Sequence, residues 1–175
     1  MIFKWKVVVL GDALVGKTSL VRHFCEGDFK ENYQATIGVS FLRKELEVNG
    51  HTVVMQIWDV GGSQMFSNVR ANYLKGSHGA MIMFDLTEKG TFISVSSWND
   101  DVIRVVGKIP TIIVGNKADL PYNKRIIEKA ESLTKELKAK LIITSAKTGE
   151  NMNDAFRELA VQMMDRYKQP FESID

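Results

Sequence analysis

The sequence lacks the features that would place it in several special classes of protein. Cys25 is the only cysteine among 175 residues, and the three histidines lack metal-ligand spacing, so neither a disulfide framework nor a cysteine-based metal cluster is expected. No apolar run approaches the roughly 20 residues that a membrane-spanning helix needs. The formal net charge of +2 is too close to neutral to indicate binding to nucleic acid or to an anionic membrane. We therefore expect a globular protein of the reducing cytosol.

The two ends of the sequence also lack recognisable targeting signals. Residues 1–6 lead straight into a strand-like segment and do not form the long apolar region of a signal peptide. Residues 169–175 contain no cysteine, and so no prenylation box. The length and the absence of repeats, low-complexity tracts and linkers predict a single domain over residues 1–175.

Short apolar runs recur along the chain, separated by stretches long enough for helices. Four runs are typical of strands buried on both faces: 7–10, 80–84, 111–114 and 141–144. Amphipathic helices are predicted at about residues 16–24, 91–106, 124–138 and 153–168. This alternation predicts a parallel sheet with helices on both faces.

One segment departs from the alternation. Residues 41–48 and 52–58 are joined by Asn49-Gly50, which is a strong signal for a tight antiparallel hairpin. The predicted fold is therefore an α/β fold with a six-stranded, mostly parallel sheet and one antiparallel edge strand. Ligands of such sheets lie outside the carboxyl ends of the strands, so we expect the functional residues directly after the apolar runs.

The residues after the first run match the phosphate-binding pattern G-x-x-x-x-G-K-S/T. They read Gly11-Asp12-Ala13-Leu14-Val15-Gly16-Lys17-Thr18 and continue with Ser19. Backbone N–H groups of such a loop, together with the positive end of the following helix, favour phosphate groups. We predict that Lys17 contacts the β- and γ-phosphates and that Thr18 coordinates Mg²⁺. A glycine turn with a helix-capping threonine is the alternative, and the position between strand and helix disfavours it.

Two further motifs predict that the base is guanine. Asn116-Lys117-Ala118-Asp119 follows the fifth predicted strand, and Ser145-Ala146-Lys147 follows the sixth. The Asp119 carboxylate would accept hydrogen bonds from guanine N1–H and the exocyclic amine, and adenine has no matching pair of donors. Two polar surface turns are the alternative. The presence of both motifs in order, each after a buried strand, favours guanine.

The other residues of these motifs complete the predicted base site. Asn116 would contact the other edge of the base, and the Ala146 backbone N–H would meet the O6 acceptor. Lys117 and Lys147 would lay their aliphatic stems along the ring faces. Leu120, which follows the first motif, is assigned to the same site.

With these motifs, the chain resembles the Ras-like small GTPases, most closely the Rab branch, over nearly its whole length. The runs that match Rab proteins are Ile37-Gly38-Val39-Ser40-Phe41, Gln56-Ile57-Trp58-Asp59 and Tyr73-Leu74-Lys75-Gly76. The resemblance implies a P-loop NTPase fold, GTP or GDP bound with Mg²⁺, and effector, exchange-factor and GTPase-activating partners. It gives no reason to expect a nucleic-acid partner.

The resemblance also implies roles for residues outside the three motifs. Phe29 would stack against the base, and Tyr33 and Thr36 would lie in the first switch. Thr36 would join Mg²⁺ when the γ-phosphate is present, Asp59 would hold the ion through a water, and the Gly62 N–H would contact the γ-phosphate.

Phe41, Trp58 and Tyr73 match the aromatic triad that Rab effectors contact. Hydrophobic cover for the sheet is an equally good explanation of these three side chains.

The second switch departs from the family pattern Asp-x-x-Gly-Gln. Ser63 occupies the position of the glutamine that orients the attacking water, and Gln64 follows it. A serine hydroxyl is shorter and cannot offer a donor and an acceptor together at that reach. With Lys17, Gly62, Ser63 and Gln64 as the catalytic candidates, we expect slow GTP hydrolysis. A GTP-binding scaffold with negligible hydrolysis is the alternative.

The sequence also departs from the family pattern at its C-terminal end, because it lacks the cysteines that anchor Rab proteins to membranes. We therefore expect a cytoplasmic protein, and membrane association, as in vesicle trafficking, only through a lipidated tail that this sequence does not contain. A small nucleotide kinase is a poor alternative, because the chain has no arginine-rich lid.

Overall fold

The computed structural model describes residues 1–31, 36–63 and 67–167. Six strands form one sheet: β1 (Ile2–Leu10), β2 (Val39–Val48), β3 (His51–Val60), β4 (Gly79–Asp85), β5 (Thr111–Asn116) and β6 (Lys140–Ile143). Their order is β2-β3-β1-β4-β5-β6. The edge strand β2 is antiparallel to β3, and the remaining neighbours are parallel, which confirms the predicted sheet.

The described residues form six helices between and after these strands: α1 (Lys17–Glu26), α2 (Ser67–Leu74), α3 (Lys89–Ile93), α4 (Val95–Val106), α5 (Arg125–Leu137) and α6 (Met152–Tyr167). The sequence pattern did not predict α2, because its apolar residues have almost no helical periodicity. The single helix predicted over 91–106 is divided at Ser94, whose hydroxyl donates to Asp12 Oδ2 and to the Gly90 carbonyl oxygen. Among the described helices, none combines the length and apolar character of a membrane span.

The core has two layers, one on each face of the sheet. Val7 and Val9 of β1 belong to the layer that packs against α1 and α6. Val8 and Leu10 belong to the layer on the other face, with residues of α2, α4 and α5. All four side chains are fully buried. Burial of such side chains is worth about 1.5–3 kcal/mol each, so β1 is anchored from both sides just before the loop at Gly11.

The turn between β2 and β3 has the predicted chemistry. Asn49 has φ 50° and Gly50 has φ 74°, and a type I′ turn requires positive φ at both central residues. Val48 pairs with His51 directly across the turn. The turn therefore fixes the register that places Val39 opposite Val60, beside the predicted switches.

Candidate functional site

A cleft of about 500 Å³ lies beyond the carboxyl ends of β1, β5 and β6. Apart from Glu31, every lining residue is a predicted nucleotide-binding residue: Leu14, Gly16, Ser19, Phe29, Asn116, Lys117, Asp119, Leu120, Ala146 and Lys147. A larger cleft, of about 920 Å³, lies between parts of α4, α5 and α6 and contains none of the predicted site residues. The smaller cleft therefore matches the predicted chemistry.

The Lys17 side chain is buried in the phosphate-binding loop, next to Gly16, which lines this cleft. Its ammonium donates to the carbonyl oxygens of Gly11 (2.8 Å) and Asp12 (2.9 Å). Burial lowers the Lys17 pKa to about 8, although the carboxylates of Asp59 and Asp12 favour its charged form. An ammonium has three donors, and the two carbonyl oxygens accept two of them. The arrangement holds a partly desolvated cation beside the loop that precedes α1.

The phosphate-binding loop and the first base motif are in direct contact. Gly16 has φ 98°, and a Cβ there would lie 2.3 Å from Asn116 Nδ2. The same Nδ2 donates to the Val15 carbonyl oxygen at 2.9 Å. Position 16 therefore requires glycine both for its backbone conformation and for the approach of Asn116. Ala13 and Leu14, on the other side of the loop, are exposed.

Asn116 joins three segments of the site. Besides its bond to Val15, its Oδ1 accepts hydrogen bonds from Thr144 Oγ1 and from the Ala146 N–H, both at 3.0 Å. The residue is 1% exposed. Asn116 and the Ala146 N–H thus bond to each other in this structure, and their contacts with the base stay predictions.

Two further side-chain contacts orient the base motifs. Ser145 Oγ donates to Asp119 Oδ1 at 2.7 Å, which fixes an otherwise exposed carboxylate. Lys117 Nζ forms an ion pair with Asp85 Oδ2 at 2.7 Å. The sequence analysis missed Asp85, although a carboxylate at the end of a buried strand is the signal that could have found it.

His23 connects α1 to the second base motif. Its Nδ1–H donates to the Ala146 carbonyl oxygen at 2.6 Å, across 123 residues of sequence. A Cβ at Gly149 would lie 3.3 Å from the His23 ring. His23 was not predicted as a site residue, because the histidines lack metal-ligand spacing and the pattern along the chain does not show that α1 lies next to this loop.

Thr18, Thr36 and Asp59 come together as a cluster of oxygen atoms. Thr18 Oγ1 donates to Asp59 Oδ2 at 2.5 Å and lies 2.5 Å from Thr36 Oγ1. Asp59 is 2% exposed, and its Oδ1 has no hydrogen-bond partner among the described residues. Burial raises the Asp59 pKa, against hydrogen bonds and positive charges that lower it. Hydroxyl and carboxylate oxygens are ligands that Mg²⁺ accepts, so the three residues fit this ion.

The second switch begins with two close backbone contacts. The Gly61 N–H donates to the Gly38 carbonyl oxygen at 2.8 Å, next to the first switch. A Cβ at Gly62 would lie 2.4 Å from the Gly11 carbonyl oxygen, so Gly62 lies directly against the phosphate-binding loop. Ser63 is half-buried beside it. Tyr33 and Gln64 lie outside the described residues.

A polar network behind the second switch was not expected from the sequence. The Asp12 carboxylate accepts hydrogen bonds from Ser94 Oγ (2.7 Å) and from Trp98 Nε1 (2.9 Å). The Arg70 guanidinium lies over the Trp98 ring at 4.1 Å and donates to the Ser63 carbonyl oxygen at 3.1 Å. Asp12 occupies a variable position of the phosphate-binding pattern, so the pattern carries no signal for this network.

The three aromatic residues predicted as an effector surface do form one cluster. The Phe41 and Trp58 ring centroids are 4.4 Å apart, and those of Trp58 and Tyr73 are 6.5 Å apart. Lys6 Nζ lies 3.5 Å from the centre of the Trp58 ring. Phe41 is 58% exposed, so the cluster presents an aromatic edge to solvent.

A sequence model of the Ras family matches residues 6–165. The matched span begins within β1, ends within α6 and contains every site residue predicted from the sequence.

Proposed function

Because the chain belongs to the Ras family of small GTPases, we propose that it is a Rab-like switch that binds GTP or GDP with Mg²⁺ and hydrolyses GTP slowly. Family membership itself establishes a small GTPase that binds nucleotide. The observation that carries the proposal is the 500 Å³ cleft, whose walls are the phosphate-binding loop and both guanine motifs.

On the base side, Asp119 supports the choice of guanine. Ser145 occupies Oδ1 of its carboxylate, and the two oxygens of a carboxylate have about four acceptor sites in all. The carboxylate therefore keeps acceptors for the two donors of guanine. Competition of GTP and ATP against a fluorescent guanine nucleotide tests this choice, and equal displacement by both would contradict it.

On the phosphate side, Thr18, Thr36 and Asp59 would hold Mg²⁺. When bound, the ion supplies positive charge that offsets the charge of the phosphate groups. Lys17 adds a second positive charge from the protein itself. We propose that the γ-phosphate orders Thr36 and Gly62, and that the switches relax after hydrolysis.

The aromatic cluster of Phe41, Trp58 and Tyr73 supports the Rab-like assignment. We propose that effectors contact its exposed edge in the GTP state, and that the protein works in the cytoplasm. Association with membranes in vesicle trafficking would need a lipidated tail beyond the sequence described. A Phe41→Ala variant separates a partner-binding role from simple cover of the sheet. If the variant keeps nucleotide binding and loses effector binding, the cluster is a partner-binding surface.

Slow hydrolysis rests on Ser63. Its hydroxyl cannot reach and orient water as the longer glutamine amide does. A GTP-binding scaffold that does not hydrolyse GTP usefully is the second candidate, and the same residue favours it.

Single-turnover hydrolysis of GTP loaded onto purified protein tests the proposal. We expect Ser63→Gln to hydrolyse GTP faster than wild type by about tenfold or more, since positioning of the reacting water is restored. Ser132→Gln, at an exposed serine of α5, is the matched control and should match wild type. If wild type is already fast and Ser63→Gln changes nothing, another group positions the water. If neither protein hydrolyses GTP within hours, the scaffold is the better description.

A further inference from the structure

Arg70 is a buried cation that contacts Ser63, Asp101 and Trp98 among the described residues. Its side chain is 10% exposed, although it lies on α2, at the surface of the sheet. Among the described residues, the Ser63 carbonyl oxygen is its hydrogen-bond acceptor, at 3.1 Å from Nη2. The Asp101 carboxylate lies 3.8 Å from Nη1, and Nε is buried without a hydrogen-bond partner. A buried guanidinium whose Nε has no hydrogen-bond partner is a poor way to stabilise a fold, so another role is indicated.

The guanidinium is held in place mainly by Trp98. It lies over the indole ring at 4.1 Å, a contact in which the ring face attracts the cation. The indole is itself fixed, because its Nε1–H donates to Asp12 Oδ1 at 2.9 Å and its ring is 5% exposed. Ser94 holds the other oxygen of the same carboxylate. Asp12 lies between Gly11 and Ala13 in the phosphate-binding loop.

These contacts form a continuous path from the second switch to the phosphate-binding loop. We propose that Arg70 is a positioning residue that holds the Ser63 backbone against α4 and couples it, through Trp98, to Asp12. This role rests on the proposed GTPase cycle, in which Arg70 would position the second switch. None of the path residues Ser63, Arg70, Trp98 and Asp12 is among those that line the 500 Å³ cleft, so the path acts by placing the Ser63 backbone.

This role concerns the backbone of the second switch, because the Ser63 hydroxyl itself is too short to orient water as glutamine does. Gly62, whose N–H is predicted to contact the γ-phosphate, directly precedes Ser63 in the chain. The contact of Arg70 with the Ser63 carbonyl oxygen therefore also limits where the Gly62 N–H can lie. Loss of catalytic geometry by about 1 Å can cost on the order of 100-fold in rate, so even a small shift of the Ser63 backbone should slow GTP hydrolysis measurably.

The experiment compares Arg70→Ala, Arg70→Lys and Trp98→Phe with wild type in full-length protein. Arg104→Ala is the matched control, because this exposed arginine pairs with the same Asp101 but contacts neither Trp98 nor Ser63. Three quantities are measured: single-turnover GTP hydrolysis, the GDP dissociation rate, and the NMR signal of the Trp98 indole N–H. Loss of that signal in Trp98→Phe assigns it.

We expect Arg70→Ala to hydrolyse GTP about tenfold more slowly, with GDP dissociation within about twofold of wild type. Arg70→Lys should restore part of the rate, since it keeps the charge over the indole ring, and Arg104→Ala should behave as wild type. In wild type the indole signal should shift when a non-hydrolysable GTP analogue replaces GDP, and in Arg70→Ala it should not.

Three results would overturn the coupling. The first is a Trp98 indole signal that does not change with the bound nucleotide in wild type. The second is an indole shift between the two nucleotide states that persists in Arg70→Ala. The third is a GDP dissociation rate in Arg70→Ala that rises by the same factor by which GTP hydrolysis falls. If wild type does not hydrolyse GTP at all, the proposed hydrolysis fails, and the indole signal still decides whether Arg70 couples the switch to Asp12.

Discussion

The base side and the phosphate side of the cleft differ in how far protein atoms satisfy their buried polar groups. On the base side, the Asn116 amide makes three hydrogen bonds to two other segments, and Ser145 holds Asp119. On the phosphate side, Asp59 Oδ1 is buried without a hydrogen-bond partner among the described residues. Each buried polar atom without a partner costs roughly 1–3 kcal/mol.

From this difference we infer a base side that is preformed and a phosphate side that the proposed nucleotide and Mg²⁺ would complete. Burial lowers the Lys17 pKa and raises the Asp59 pKa, so it disfavours the charged form of both groups. An anionic phosphate beside Lys17 and a cation beside Asp59 would each favour the charged form. A nucleotide with Mg²⁺ supplies both, which is how the two sides would act together in one site.

The largest expected effect on nucleotide affinity comes from a substitution on the base side, Asn116→Ala. The variant loses three buried hydrogen bonds, each worth about 1 kcal/mol, and leaves the Val15 carbonyl and the Ala146 N–H without this partner. We expect GDP affinity to fall on the order of 100-fold, measured by titration with a fluorescent GDP.

Asn123→Ala is the matched control, since Asn123 is exposed and lies outside the cleft. Thermal unfolding of both variants separates lost affinity from a lost fold. A folded Asn116→Ala protein that binds GDP nearly as well as wild type would show that the base side does not depend on this network.

A smaller effect, of a different kind, is expected on the phosphate side from Gly61→Ala. The new Cβ would lie 2.7 Å from the Thr36 carbonyl oxygen and 3.1 Å from that of Gly38, so one of the switch backbones must move. Overpacking of this kind costs about 1–3 kcal/mol. Because Thr36 is predicted to engage only with the γ-phosphate, we expect affinity for a non-hydrolysable GTP analogue to fall by roughly tenfold and GDP affinity to change little.

Gly90→Ala serves as the control, because a Cβ at Gly90 meets nothing within 4 Å. An equal loss of affinity for GDP and the GTP analogue in Gly61→Ala would mean that the switch backbones affect binding of both nucleotides, whether or not the γ-phosphate is present. The contrast between the two sides of the cleft would then be wrong.

The parts of the molecule that sequence patterns predicted well are those that local rules determine. Continuous apolar runs such as residues 7–10 favour a strand buried on both faces, and Asn49-Gly50 readily adopts the positive φ values that a type I′ hairpin turn requires. Gly16 follows the same logic, since its backbone conformation and its contact with Asn116 leave no room for a side chain. The strand, the hairpin and the phosphate-binding loop were therefore predictable.

The parts that were missed depend on contacts between distant segments. Asp12 and Trp98 are 86 residues apart, and neither position carries a local signal of their hydrogen bond. Helix α2 lacks helical periodicity because it covers the sheet with few apolar residues, while Arg70 turns inward to Trp98. Such pairings follow from how the helices pack, which a single sequence does not reveal.

The smallest expected effect tests whether the two sides respond separately to nucleotide state. His23 lies on α1, which begins at the phosphate side, but its Nδ1–H donates to the Ala146 carbonyl oxygen on the base side. Loss of this bond is worth about 1 kcal/mol, so His23→Ala should release GDP about fivefold faster. If the base side is preformed, a non-hydrolysable GTP analogue should be released faster by the same factor, unlike the unequal effect expected of Gly61→Ala. Glu26→Ala, at an exposed position at the end of α1, controls for the helix itself. Unequal acceleration in His23→Ala would mean that α1 transmits the state of the phosphate side to the base, and the two sides would then be parts of one switch.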